Sequence, residues 1–167
     1  MAQTESDMLI RPAVADDATA IWHILQPIIR AGETYALARD ISEAAALAYW
    51  LGPGHEVFVA VNEAELLGTY YLRANQQGGG AHVANCAYVT APRAQRRGVA
   101  RAMCAHSLAR AKARGFRAVQ FNFVVSTNER AVRLWQSFEF EIVGTLPQAF
   151  EHPHLGPVDA YVMFRKL

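Results

Sequence analysis

An apolar, β-rich run from His82 to Val89 ends at Pro92, and a short basic loop, Gln95-Arg96-Arg97-Gly98-Val99-Ala100, then opens an alanine-rich helix. This junction constrains the chain more than any other stretch. A helix N-terminus carries unpaired backbone N–H groups and a partial positive charge. Gly98 and Ala100 keep side chains away, so a bulky anion can approach the backbone closely. The layout predicts a pyrophosphate cradle. No Gly-x-x-x-x-Gly-Lys-Ser/Thr is present, which argues against a P-loop nucleotidase. No Gly-x-Gly-x-x-Gly follows the first predicted strand, which argues against a Rossmann dinucleotide site.

A second motif lies downstream. Asn128-Glu129-Arg130-Ala131-Val132-Arg133-Leu134-Trp135 continues into Phe138-Glu139-Phe140, with a predicted strand, Ala118 to Val125, between the two motifs. The first motif, Gln/Arg-x-x-Gly-x-Gly/Ala between a strand and a helix, resembles the acetyl-CoA signature of the GNAT superfamily of N-acetyltransferases. The second resembles that family's Asn-x-x-Ala-x-x-Leu-Tyr/Trp-x-x-x-Gly-Phe. The resemblance is specific over about Val83 to Gly144 and architectural over the first 80 or so residues. It implies an α/β GNAT fold in one domain spanning 1–167, with a mixed, strongly twisted sheet of about seven strands flanked by about four helices.

Local patterns fill in the elements. Met8 to Val14 reads as a strand. Asp16 or Asp17 can cap a helix to about Ala31, with Pro27 kinking or ending it early. Ser42 starts a second helix that Gly52-Pro53-Gly54 stops. Glu56 to Val61 and Leu66 to Arg73 read as a hairpin. Val99 to Arg114 and Asn128 to Ser137 are helices. Glu141 to Leu146 and Asp159 to Lys166 close the sheet across a loop rich in Pro and His.

The resemblance also assigns roles. The pantetheine arm would lie along Ala87, Tyr88 and Val89, where the fourth strand splays from the fifth. The Val89 N–H, at the strand end, would polarise the thioester carbonyl. One such donor contributes ~2.7–4 kcal/mol to an acyl-transfer transition state. The segment Gln95, Arg96, Arg97, Gly98, Val99, Ala100 and Arg101 would hold the pyrophosphate. Asn128 reads both as a helix N-cap and as a contact to the CoA arm or substrate. Trp135 falls where the family often has Tyr; its indole cannot protonate a thiolate at neutral pH, which leaves solvent or Tyr88, Tyr161 or Tyr35. Glu139 replaces the usual Gly before Phe140, so this helix is expected to end differently.

The acceptor side is less defined. Asn122, in an apolar strand, needs polar partners, and its segment resembles fungal N-acetyltransferases acting on proline analogues. Asn122 is therefore expected at the acceptor, and Asn85, on the fourth strand, is expected to bind the substrate as well. Gly32-Glu33-Thr34-Tyr35-Ala36-Leu37 resembles the acceptor loop of phosphinothricin-type enzymes, with Glu33 binding an ammonium and Tyr35 walling the pocket. His82 is the expected proton acceptor. His152 and His154 lie in a loop where the family often lines its acceptor site. Cys86, beside the splay, keeps a covalent route open.

Composition bounds the partners. The 167 residues are 52% hydrophobic and 19% charged, which fits a globular enzyme. No apolar run reaches the length of a membrane span. The start, Met-Ala-Gln-Thr-Glu-Ser-Asp, is acidic, unlike a secretory leader, and the expected location is cytoplasmic. The net charge of +1 conceals an asymmetry: residues 66–138 hold eleven bases and one acid, Glu129. Acetyl-CoA accounts for that block, and no stacking pattern or groove-reading helix favours nucleic acid. No metal is expected, because the His152-x-His154 pair lacks further ligands. The reading is direct acetyl transfer from acetyl-CoA to a small amine or amino acid, with a homodimer left open. The alternatives are a protein N-terminal or lysine acetyltransferase, or a CoA-binding sensor module.

Overall fold

The structure, a computed structural model, describes residues 8–63 and 65–167. The acidic run at 1–7, on which the argument against a leader rests, lies outside them. Among the described residues are seven strands in one sheet and four α-helices, with order β1(Leu9–Pro12), α1(Ala18–Ala31), α2(Glu43–Trp50), β2(Glu56–Asn62), β3(Glu65–Ala74), β4(Val83–Thr90), α3(Val99–Ala113), β5(Ala118–Val125), α4(Glu129–Ser137), β6(Glu141–His152) and β7(Gly156–Lys166). The spatial order is β1-β2-β3-β4-β5-β7-β6. Every neighbouring pair is antiparallel except β4 and β5, which α3 connects in parallel. The expected α/β architecture, with about seven strands and four helices, is what forms.

Helices cover both faces of the sheet. Trp50 of α2 donates from Nε1 to Thr69 Oγ1 at 3.1 Å and packs edge-on against Tyr71. The residues Thr69, Tyr71 and Arg73 alternate along β3 and so share this α1/α2 face. On the opposite face, Tyr70 meets His106 of α3, and Phe121 of β5 meets Trp135 of α4.

Four local expectations need correction. Helix α1 runs unbroken through Pro27. The carbonyl that Pro27 leaves unpaired is that of His23, and both residues are exposed, so water can take it. The stripe Ile21, Ile24, Leu25 and Ile29 is buried and holds the helix to the sheet. Asp17 occupies the N-cap position of α1 but makes no cap bond; its carboxylate is bidentate with Arg11 at 2.7 and 2.9 Å and accepts from Val14 N–H. That pairing holds the Asp17 carboxyl below the usual carboxylate range.

The predicted Pro/His loop is mostly strand, because β6 and β7 extend to His152 and from Gly156. β7 pairs with β5 only as far as Ala160, so Pro157 has an open side where its missing N–H costs nothing. The end of α4 also differs from expectation. Glu139 takes the left-handed conformation (φ 63) that the family's glycine would take, and Glu139 and Phe140 N–H close on Gln136 and Trp135 carbonyls. Such a backbone costs a non-glycine residue about 1–2 kcal/mol. Arg165 braces it, with Nη2 3.1 Å from Glu139 Oε2 and Nη1 donating to Phe138 O at 2.7 Å.

Thr69 is fully buried and relays the Trp50 N–H to the Phe58 carbonyl, donating at 2.9 Å. Thr69→Val keeps the volume but orphans the Trp50 N–H, at about 1–3 kcal/mol. Denaturant unfolding should show a loss in that range; a change under about 0.5 kcal/mol, the size typical of neutral surface substitutions, would contradict the relay.

Candidate active site

The parallel pairing of β4 with β5 covers only Val83↔Ala118 and Ala84↔Val119. Beyond that the strands part, while β4 stays paired with β3 as far as Thr90. A cleft of about 710 Å³ opens at the split and reaches both faces of the sheet. That volume is typical of a small-molecule or cofactor site.

The α3/α4 side of the cleft carries the loop expected to hold the pyrophosphate. Arg96 (φ 63) and Gly98 (φ 77) are both left-handed, which curls the loop into the first turn of α3. A Cβ at Gly98 would meet no protein atom within 4 Å, so the backbone here is open to a ligand. Gln95, Arg96, Gly98, Val99, Ala100 and Arg101 all line the cleft, as does Arg130 of α4. Arg97, expected with them, does not. Asn128 stands at the N-cap position of α4 without a side-chain cap bond and lines the cleft. Trp135 is buried at its floor between Tyr88 (4.9 Å) and Phe121 (5.1 Å).

Strand parity decides which backbone groups face the gap. The Val83 carbonyl and Ala91 N–H bond to the β3 side, whereas the His82 carbonyl bonds to Arg117 and the Tyr88 carbonyl accepts from Tyr35 Oη at 2.8 Å. The N–H and C=O of one strand residue point to the same edge. Cys86, Tyr88 and Thr90 therefore present their N–H groups to the gap. Val89 and Ala87 line the cleft, but their backbone groups turn to β3. The N–H of Val89, expected as the polarising donor, thus turns to β3, and on either side of it Tyr88 and Thr90 N–H face the gap.

The α1/α2 side carries the residues expected at the acceptor. It is lined by Thr34, Tyr35, Leu37, Tyr49, Tyr71, Arg73, Asn85, Asn122 and Phe123. Asn85 is buried and donates from Nδ2 to Gln120 O at 2.9 Å. Asn122 lies at a bulge of β5 against β7, accepts from Gln120 Nε2 at 2.9 Å and donates to Asn75 Oδ1 at 2.6 Å. Arg73 and Tyr71 were not anticipated. The alternation Thr69-x-Tyr71-x-Arg73 was the available signal, since it sets a cation and an aromatic on one face. His55 stacks on Tyr71 at 4.3 Å and bonds through Nδ1 to Trp50 O at 2.9 Å. Burial, and then Arg73, hold its pKa below the ordinary histidine value.

Several expected residues lie elsewhere. His82 sits on an exposed turn before β4, seven residues or ~23 Å along the strand from Val89, which rules it out as proton acceptor here. Glu33 is exposed and off the cleft wall, with Oε1 3.9 Å from His154 Nε2, and His154 does not line the cleft either. Neither His152 nor Tyr161 lines the cleft. The Tyr88 hydroxyl is committed to Ser107 Oγ at 2.6 Å and burial raises its pKa well above the usual value; Tyr35 is likewise raised by burial. Burial pushes the Cys86 thiol up to about 12, so it is a protonated thiol at neutral pH. No cluster of three or more metal-ligating side chains occurs among the described residues, and no described helix is long and apolar enough to cross a membrane.

Comparison with known proteins is consistent with this geometry. The model of the acetyltransferase (GNAT) family matches residues 19–140. The chain belongs to that family. A GCN5-related N-acetyltransferase from Kribbella flavida superposes with a TM-score of 0.93 at 41% identity, covering 99% of this chain and 100% of that one. A phosphinothricin acetyltransferase from Sinorhizobium meliloti, solved with acetyl-CoA, superposes at 0.83 over 96% of this chain and 88% of its own, and at 22% identity that likeness concerns the fold. N-acetyltransferase aca1 of Schizosaccharomyces pombe is 33% identical over 98 residues, 58% of this chain; the match spans 47% of that curated relative.

Gly98 gives a direct test of the phosphate end. Gly98→Ala puts a methyl group where the loop is open and strains a left-handed backbone. Calorimetric titration should show acetyl-CoA affinity falling by at least about tenfold, about 1.4 kcal/mol. Unchanged affinity would remove Gly98 from the cradle.

Proposed function

We propose that this protein transfers the acetyl group of acetyl-CoA to the amino group of a small acceptor bearing a carboxylate, an amino acid or an analogue of one. The observation that carries the acceptor class is Arg73, the cation on the acceptor wall, beside Asn85 and Asn122. A guanidinium pairs well with a carboxylate, and it disfavours a polyamine.

In this reading the loop from Gln95 to Gly98 and the first-turn amides of α3 hold the pyrophosphate, with Arg96 and Arg101 neutralising it. The pantetheine arm follows β4 into the gap, and Tyr88 N–H donates to the thioester carbonyl. The acceptor lies opposite, with Arg73 on its carboxylate and the Asn122 amide beside its amine. Holding both reactants in line supplies roughly 7–11 kcal/mol of the barrier reduction. The amine nitrogen attacks the carbonyl carbon, the tetrahedral intermediate collapses, and CoA leaves as its thiolate. The Cys86 thiol, held protonated by burial, favours this direct attack over a covalent enzyme intermediate.

Proton transfer follows from the cleft's charge. Among the described residues lining it there is no Asp, Glu or His, while Arg73, Arg96, Arg101 and Arg130 are present. That field favours the neutral amine over the ammonium. The acceptor therefore loses its proton to water, and water protonates the thiolate.

Thiol release across amino acids, their carboxamides, polyamines and short peptides tests the acceptor class. Arg73→Ala should lower kcat/KM for the preferred amino acid by about 10- to 100-fold, the worth of one charge-assisted contact, and leave the carboxamide unaffected. Turnover with peptides alone would replace this reading with a protein acceptor. With proton loss to water, kcat/KM should rise with pH up to the amine pKa of whichever acceptor is used. A common inflection between pH 6 and 7 for every acceptor would reveal a base on the protein instead.

A further inference from the structure

We propose that Asn85 is a positioning residue that ends the β4–β5 ladder and thereby opens the gap. In a parallel pair, bonds run evenly from alternate residues of one strand. Here β4 bonds to β5 through its even-numbered residues, up to Ala84. One step further, that pattern would bring Cys86 N–H to the Gln120 carbonyl. Asn85 Nδ2 takes that carbonyl instead, at 2.9 Å. A carboxamide now stands where a direct backbone bond would have drawn the strands together.

The surroundings fix the orientation of this amide. Its Oδ1 accepts from Arg73 Nε at 3.4 Å, and Arg73 is its direct partner across the β3–β4 ladder. Reversing the amide would set a donor against a guanidinium and an oxygen against a carbonyl. Asn85 is 6% exposed, and its carboxamide could not remain there unpaired. Gln120, whose carbonyl is captured, holds Asn122 with its own side chain at 2.9 Å. One residue thus leaves Cys86 and Tyr88 N–H without β5 partners and links Arg73 to the strand that carries Asn122. Asn85 acts on the reaction through the backbone it frees, not by touching the reacting atoms.

The proposal assumes that the gap receives acetyl-CoA, and the test separates the two ideas. Asn85→Val, a strand-favouring substitution, removes the donor; Asn85→Ala serves as the second variant. In the ligand-free protein, amide hydrogen exchange at Cys86 should slow by tenfold or more in either variant, because its N–H can close on Gln120. Acetyl-CoA affinity should fall by tenfold or more, with Tm held or raised. Unchanged or faster exchange at Cys86 in a folded variant overturns the proposal, as does acetyl-CoA affinity within twofold of the parent. If the parent protein binds no acetyl-CoA, the functional reading falls, and exchange at Cys86 still decides for or against the wedge.

Discussion

The early end of the β4–β5 ladder is the constraint on which the rest of this molecule depends. A parallel pair held for only two residues leaves two sheet halves joined at one end and open at the other. β4 remains straight because β3 pairs along its whole length, and β5 is held by β7. The opening is therefore a fixed feature of the sheet. It exposes backbone N–H groups inside an otherwise buried layer, where a donor is stronger for lack of competing water. The loop to α3 leaves from the open end of β4, so that loop and the gap-facing N–H groups share one strand.

The charge pattern follows that geometry. Arginines lie at both ends of the cleft, and its middle is lined by aromatic rings and amides. Tyr88, Trp135, Phe121 and Phe140 form a continuous aromatic cluster under the opening, with the Phe121 and Phe140 rings stacked 4.3 Å apart. These rings fix the floor without offering a titratable group near neutral pH. Electrostatic preorganisation and positioning are what such a site can contribute.

Much of this was legible in the sequence. The junction of β4, a glycine-containing loop and α3 is local and was read from adjacent residues, as was the cap by Ser42, whose Oγ accepts from Ala45 N–H at 3.1 Å. What was not legible depends on partners distant in the chain. Val89 and Tyr88 differ only in which edge of β4 they face, and a register offset of one residue reverses that parity. Arg73 looked like the end of a strand until β4 placed Asn85 beside it. Pro27 and Glu139 break local rules and are tolerated because solvent and Arg165, respectively, supply what the backbone lacks. His82 looked catalytic only because its distance from the strand's far end cannot be read from its identity.

A cleft that pierces a sheet has two mouths. The loop before α3 opens on the α3/α4 face, and Tyr35, Tyr49, Tyr71 and Arg73 open on the other. Under the proposed function, two ligands entering from opposite sides would meet head-on and would not queue behind one another. Neither would block the other's exit, so the spent carrier and the modified acceptor would be free to depart in either order. The fold thereby leaves traffic through the site to the relative affinities of its two halves, not to a fixed sequence of gates.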